Sequence, residues 1–552
     1  MGLTLAQSNK RLAWLAKALA YGSLMLLALT GCDTHRETPA EIAARQKILL
    51  LGNGSEPKGI DPHIVTGVPE NNIIISLLEG LIAYHPSNDF LPDPGVAESW
   101  EHNEDCSQWI FHLRENAMWT NGDPVTAHDF VYSYKRILTP TLGAEYADML
   151  YVVRGAEDYH QKRTTDFDQV HVKALDDHTL EIGLVGPIPY FLSMLKHYSW
   201  YPVNPRVIEA HGGIDNRDAS WTQVENFVGN GPFKLKYWKT NNYIEVEKSK
   251  TYWDYANVKP NGIRFFPIER QSTEEAAFRA GQIHYCYQIP LDRIDYYREH
   301  APKLIHFDDY IGSYFYRFNV TRPPLDNPLV RKALTLSVDR KTIVENVTRG
   351  NETAASGYVY ASMKGYQSPG NIHFDPERAR QLLADAGYPD GKGFPKVDIL
   401  INTQEAHKII AEAIQAMWKE YLNIDVGLLN QEWKVYLDNQ KNLNYEISRS
   451  GWIGDYMDPI TFLQIFTSDS GNNQTGWGNP RYDELLKLAN TTGNQEERLK
   501  MMQEMENILL DELPIAPIYW YTRKYLLSPL VKDWNPKLLD FHPYKYIDFQ
   551  KP

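Results

Sequence analysis

From Asp375 to Leu526 the chain switches repeatedly between two hydrophobic periods, and this limits its fold more than any other feature. Asp375-Pro376 is an N-cap followed by proline at the first helical position. Ala379, Leu382, Leu383 and Ala386 then fall on one helical face, and Gly387 is a fitting stop. Val397 to Ile401 reads as a strand. His407 to Leu422 reads as a helix with Ile410, Ile414, Met417 and Tyr421 inward, and Ile424 to Leu428 as a further strand. Met501 to Leu510 is a late helix, and Ile515 to Leu526 returns as strand. Such alternation predicts an α/β lobe.

The first half is more mixed. Lys47 to Gly52 reads as a buried strand, Asn72 to Tyr84 as an apolar helix or strand, and Trp109 to Leu113 and Ile244 to Glu247 as strands. Asn121 to Pro124 is a turn, and Thr126 caps a helix through Ala127, Phe130, Val131 and Tyr134. With 552 residues, 43% of them hydrophobic, the chain is long enough for two or three cores. No internal repeat of 20–50 residues is present. Aromatic residues make up 12%. Such a surplus suits a binding cleft and equally an aromatic core.

The N-terminus reads as an address. Lys10, Arg11 and Lys17 precede an uncharged, largely apolar run from Ala18 to Leu29. That run is too short to cross ~30 Å of hydrocarbon as a helix, and it suits a signal peptide. Leu29-Thr30-Gly31-Cys32 follows and resembles a lipobox, with Cys32 as the lipidated first residue of the mature chain. Residues 1–31 are then a signal peptide, and residues 32–46 are expected to form a tether. Asp33 resembles an inner-membrane retention signal of enteric bacteria. Cys106 and Cys286 are either paired or free; an oxidising compartment permits both.

The net charge of −14 becomes −17 without the three basic residues of the leader. It argues against nucleic acid or an anionic membrane surface as the main partner. Phosphate-loop, nucleophile-elbow and H-E-x-x-H motifs are missing, and the histidines do not cluster at metal-ligand spacing. Carboxylate pairs such as Asp123/Asp129 and Asp455/Asp458 could in principle do acid–base work, but most such carboxylates read as turn and capping groups. No enzymatic activity and no cofactor is expected.

Several blocks in order resemble the periplasmic oligopeptide-binding proteins of bacterial ABC importers (solute-binding family 5). They include Gly95 to Trp100 (GVAESW), Phe111 to Arg136, Asn230 to Leu235 (NGPFKL), Tyr252-Trp253-Asp254, Arg331 to Leu334 with Val338-Asp339-Arg340, Asn430 to Lys434 (NQEWK), and Gly451 to Tyr456 (GWIGDY) with Asp458-Pro459. The resemblance runs from about residue 50 to the C-terminus. It implies an α/β periplasmic-binding-protein-like fold (class II) of three lobes closing about a hinge. Lobe I is expected to comprise 47–79, 206–311 and 523–552, lobe II 80–205, and lobe III 312–522. It also implies short peptides as ligands and delivery of them to permease and ATPase subunits. A monomer held to the envelope through Cys32, on the inner membrane in preference to the outer, completes the expectation. The alternatives are a relative specialised for murein peptide, dipeptide, haem or nickel chelate, and an envelope scaffold or adhesin lipoprotein.

A peptide is a zwitterion with a polar backbone. A general receptor pairs the amine with a carboxylate, the carboxylate with a cation, and the backbone with a free strand edge. If Arg449 to Asp455 is extended, Arg449, Gly451, Ile453 and Asp455 share one face, with end Cα atoms about 20 Å apart. Gly451 and Gly454 let another backbone approach. The resemblance gives Asp455 the ligand amine and Arg449 the carboxylate of a short peptide. It gives His407 the carboxylate of longer ones, and places Tyr146, Val68, Trp433 and Trp452 around the cleft. Two departures stand out: Gln440 replaces a basic residue of the family, and Gly312 and Ile453 occupy the positions of a cysteine bridge.

Overall fold

The computed structural model describes residues 36–550 except Ser362 and Lys364. The expected signal peptide, Cys32 and Asp33 lie outside the described residues.

The expected tether needs correcting. Pro39–Arg45 is a helix with Ala40, Ala43 and Ala44 buried. The Thr38 hydroxyl accepts the Glu41 N–H at 3.2 Å, and the Glu41 carboxylate accepts the Thr38 N–H at 2.7 Å. This capping box, with proline at the first turn, closes the helix N-terminus without tertiary help. The Ala40 N–H then donates to Gly281 O, and His284 Nε2 reaches Ala40 O, so the helix is docked on the body. Any tether ends before Thr38.

Among the described residues, eleven strands form one mixed sheet. Its order along the main path is Val426–Gln431, Val397–Asn402, Ile447–Ile453, Ile305–Phe318, Ile515–Leu527, Tyr285–Cys286, Ile48–Gly52, Gly262–Phe266, Tyr243–Lys248 and Phe233–Lys239. Two long antiparallel strands, Ile305–Phe318 and Ile515–Leu527, lie side by side in the middle of that order. Their pairing breaks register between Asp309 and Ser313. A break of this kind bends and twists the ladder.

Residues 80–205 hold a separate four-stranded antiparallel sheet, ordered Ala97–His102, Gln108–Leu113, Thr179–Gly183, Val172–Asp176, and the helix Ala127–Leu138. That helix buries Phe130, Tyr134 and Ile137, and Asp129 caps it by accepting the Thr126 N–H at 2.9 Å. Its Arg136, fully buried, donates to both oxygens of Asp61 at 2.9 and 2.6 Å. This pair fixes the loop that leads into the helix Val68–Leu77 and so positions Val68 and Glu70.

The apolar stretch from Asn72 divides at Leu78 into that helix and the short strand Ile82–Tyr84. The long helix Glu405–Leu422 buries Ile410, Ile414 and Met417 as expected, while Tyr421 is only half-buried and Trp418 takes the core position beside Leu334.

Candidate ligand cleft

The strand Ile447–Ile453 is paired along its whole length, from Phe318↔Ile447 to Gly312↔Ile453. Its other edge meets Val397–Asn402 only at Ile447 and Ser448. The Arg449 carbonyl accepts from Tyr436 and Gln440, and beyond it, from Ser450 to Ile453, that edge is open. Two adjoining cavities lie beside it, of about 1140 and 780 Å³ with the solvent at their open mouths included. Both are lined by Val68, Trp433, Arg449, Gly451 and Ile453; the first adds His407, and the second adds Tyr146, Trp452 and Asp455. All nine candidate residues therefore line one continuous cleft.

Asp455 does not sit on the strand itself. The strand ends at Ile453, Gly454 still donates its N–H to Ile311 O, and the chain then turns. The Thr461 hydroxyl accepts the Asp455 N–H at 2.8 Å and fixes the turn. One carboxylate oxygen, Oδ1, accepts from the Tyr146 hydroxyl at 3.2 Å and lies 3.5 Å from His197 Nε2. The other, Oδ2, is buried without a hydrogen-bond partner. Burial pushes the carboxyl well above its ordinary 3.8; the Tyr146 hydrogen bond pulls it down, and the nearby Asp148 pushes it up again. His197 offers no charge, because burial drives it down to about 3. Here a buried carboxylate stands without a cation, an expensive arrangement unless something else supplies one.

Arg449 is the complement. Its Nη1 donates to Asn402 Oδ1 at 3.2 Å and its Nη2 to the Tyr521 hydroxyl at 3.0 Å. The guanidinium lies 4.9 Å from the Tyr314 ring centre, and Nε has no partner. Burial works against its charge, but Tyr521, Tyr314 and their tyrosine neighbours outweigh it and hold the group protonated. Among the described residues no carboxylate lies within ion-pair distance of it.

Burial first, and the Arg449 charge second, hold His407 well below its ordinary 6.5, so it faces the cleft as a neutral imidazole. Its Nδ1 lies 3.4 Å from the Tyr314 hydroxyl. Trp433 donates through Nε1 to Glu70 Oε1 at 3.3 Å and stacks on Tyr436. Trp452 packs 6.2 Å from the Tyr146 ring, and its Nε1 is unpartnered.

Gln440 is no free substitute for the missing basic residue. Its Nε2 donates to the Tyr436 hydroxyl at 2.8 Å, Ser448 Oγ at 2.9 Å and Arg449 O at 3.1 Å, tying the helix Trp433–Lys441 to the cleft strand. Gly312 faces Ile453 directly, and a Cβ on Gly312 would meet Ile453 Cδ1 at 2.5 Å. Cys106 and Cys286 are free thiols, which closes the question left by their spacing.

Several lining residues escaped sequence reasoning: Asn402, Tyr521, Asn71 and Arg317. A lone arginine inside the aromatic run Tyr314 to Phe318 was the available signal for the last. Among the described residues no group of three or more His, Cys, Asp or Glu is placed to hold a metal, and no helix is long and apolar enough to cross a membrane.

Residues 92–474 match the profile of bacterial extracellular solute-binding proteins, family 5, middle region. The chain belongs to this family. It is similar to the dipeptide-binding protein DppE of Bacillus subtilis, at 36% identity over 95% of this chain and 96% of that protein. Haemophilus influenzae OppA in complex with the peptide RPPGFSPFR superposes with a TM-score of 0.87 at 34% identity, over 91% of this chain and 99% of that one. The murein tripeptide binding protein MppA of Escherichia coli superposes at 0.85, with 32% identity over 91% of this chain and 98% of its own. MppA in its unliganded open form superposes at only 0.61, with 32% identity over 92% and 98%. The lobes of this family 5 protein are therefore set differently from that open arrangement.

Proposed function

We propose that this protein captures short peptides outside the cytoplasm by their two ends and their backbone, and hands them to an ABC importer. One observation carries the reading. At one end of an open strand edge stands a buried carboxylate oxygen without a cation, Asp455 Oδ2, and near its other end a half-buried guanidinium without an anion, Arg449. A zwitterionic peptide laid along Gly451–Ile453, between the two charges, supplies both missing partners and pairs its backbone with the open edge. Val68, Trp433, Trp452 and Tyr146 enclose it, and Gly451 leaves room for its main chain. His407, as a neutral imidazole, takes a hydrogen bond from or gives one to longer ligands.

The lobes are assigned as 47–79 with 206–311 and 523–552, 80–205, and 312–522. The register break at Asp309–Ser313 makes the paired long strands the natural hinge. Closure lowers the local dielectric around both end charges and so strengthens both ion pairs. In this reading the protein acts as a monomer without catalysis. Cys32 carries a lipid that holds it at the inner membrane beside its permease and ATPase subunits.

Mass spectrometry of small molecules that co-purify with the protein is the test. Recovery of peptides of a few residues with free amino ends supports the reading. Recovery of none, together with no heat of binding for tri-alanine, refutes it.

A further inference from the structure

The cleft holds one positive charge more than a simple peptide neutralises. Around the first cavity Lys524 is ion-paired with Glu352, and Arg523 with Asp540 at 2.6 Å. His407 and His197 are neutral. Three lining charges then have no ion-pair partner that would balance them: Asp455, Arg449 and Arg317. A zwitterion supplies one cation and one anion, which answers Asp455 and Arg449. Arg317 is left over.

Arg317 lies on the strand Ile305–Phe318, opposite Ser448 of the cleft strand, and lines the second cavity. It is 3% exposed. Its Nη1 donates to Gln474 Oε1, and its Nε has no partner. Among the described residues no carboxylate lies within ion-pair distance. Beyond the cavity, Glu145 is already held by Arg217 at 2.9 Å and Lys441 at 2.6 Å. Glu70 receives the Lys58 N–H and Trp433 Nε1, and burial pushes it toward its neutral form. In the same cavity both side-chain amide atoms of Asn71, 2% exposed, also lack partners. A planar guanidinium edge and an amide N–H are together the donor set that a carboxylate takes.

We infer that the second cavity is a side-chain subsite that selects peptides carrying one acidic side chain, with Arg317 as its counter-charge and Asn71 as a second donor. The inference rests on the peptide reading above and narrows it to a ligand class: short peptides of net charge −1 with a glutamate or aspartate on the face turned toward Arg317.

The test is calorimetry with tri-alanine and with six derivatives in which each position in turn is glutamate or its isostere glutamine. At one position the glutamate peptide is expected to bind wild type about tenfold tighter than its glutamine twin. In Arg317→Gln that difference is expected to vanish. Tri-alanine binding with no glutamate preference at any position overturns the inference and leaves the peptide reading intact. This comparison needs only wild type, so a misfolded variant does not decide it. If Arg317→Gln weakens tri-alanine as much as the glutamate peptide, Arg317 serves the main-chain carboxylate and the inference fails. Absence of binding by all seven peptides refutes the inference and the peptide reading together.

Discussion

The Tyr146 hydroxyl donates to Asp455 Oδ1 at 3.2 Å, from 309 positions away in the chain, and leaves Oδ2 bare. The hydrogen bond joins the segment 80–205 to the turn after the cleft strand, which the Thr461 hydroxyl also fixes. Tyr146→Phe keeps the ring and removes the hydrogen bond that favours the charged carboxylate. Peptide affinity is expected to fall by about 1 kcal/mol, roughly fivefold, measured by calorimetry. An unchanged affinity contradicts this positioning role.

Proton linkage follows from the same carboxyl. In the empty cleft Asp455 titrates well above 3.8, mainly through burial. A bound ammonium favours the ionised form and lowers it again. Binding therefore releases protons. Affinity is fully present between the raised value of the free cleft and the peptide amine's own value of about 8, and it falls as pH drops through the raised value. His407, held well below 6.5, adds no gain on acidification from pH 8 to 6. Calorimetry in buffers of different ionisation enthalpy measures the released protons. Proton uptake on binding, or affinity that rises as pH falls through 6.5, contradicts the account.

Asp458 anchors the turn that carries Asp455. Arg498 grips it with two hydrogen bonds at 2.8 and 2.6 Å, with both side chains buried. Asp458→Ala leaves a buried guanidinium without its anion, and a loss of about 3–5 kcal/mol in unfolding free energy is expected. Chemical denaturation measures it; a loss below about 1 kcal/mol contradicts the reading.

Glu145 joins three segments that are distant in sequence. It receives Lys441 at 2.6 Å and Arg217 at 2.9 Å, and its main-chain oxygen accepts from Asn472 at 3.2 Å. Lys441 is about a third exposed, so its pair is worth only about 0.5–1 kcal/mol. Lys441→Ala is expected to speed peptide release by about two- to fivefold and to leave association nearly unchanged, because the pair links segments 80–205 and 312–522, which the proposed closure brings together. Stopped-flow fluorescence separates the two rates; unchanged release contradicts a latch.

Much of the lobe from Asp375 onward was legible because its elements announce themselves locally. The Asp375-Pro376 cap, the helix Glu405–Leu422 and the strand Val397–Asn402 each need only neighbouring residues. The shared sheet was not legible, because Ile305–Phe318 pairs with residues some two hundred positions away and nothing local encodes that register. The helix Pro39–Arg45 was missed although Thr38-Pro39-x-Glu41 spells its capping box; polar composition was read as tether instead. Asp455 and Arg449 were singled out by the family resemblance together with a spacing that assumed one extended segment, whereas the strand stops at Ile453. The neutrality of His407 was not legible, because burial is a property of the assembled cleft. Arg317 stayed hidden for the same reason: a lone arginine in an aromatic strand gains its meaning only from the missing carboxylate around it.

The central claim is that Asp455 holds the free amino end of a peptide. The most direct measurement is a paired titration of tri-alanine and N-acetyl-tri-alanine by calorimetry. Acetylation removes the cation and leaves a buried carboxylate unpaired, so the account expects a loss of about 3–5 kcal/mol, a hundredfold or more. Equal affinity for the free and the acetylated peptide would contradict it.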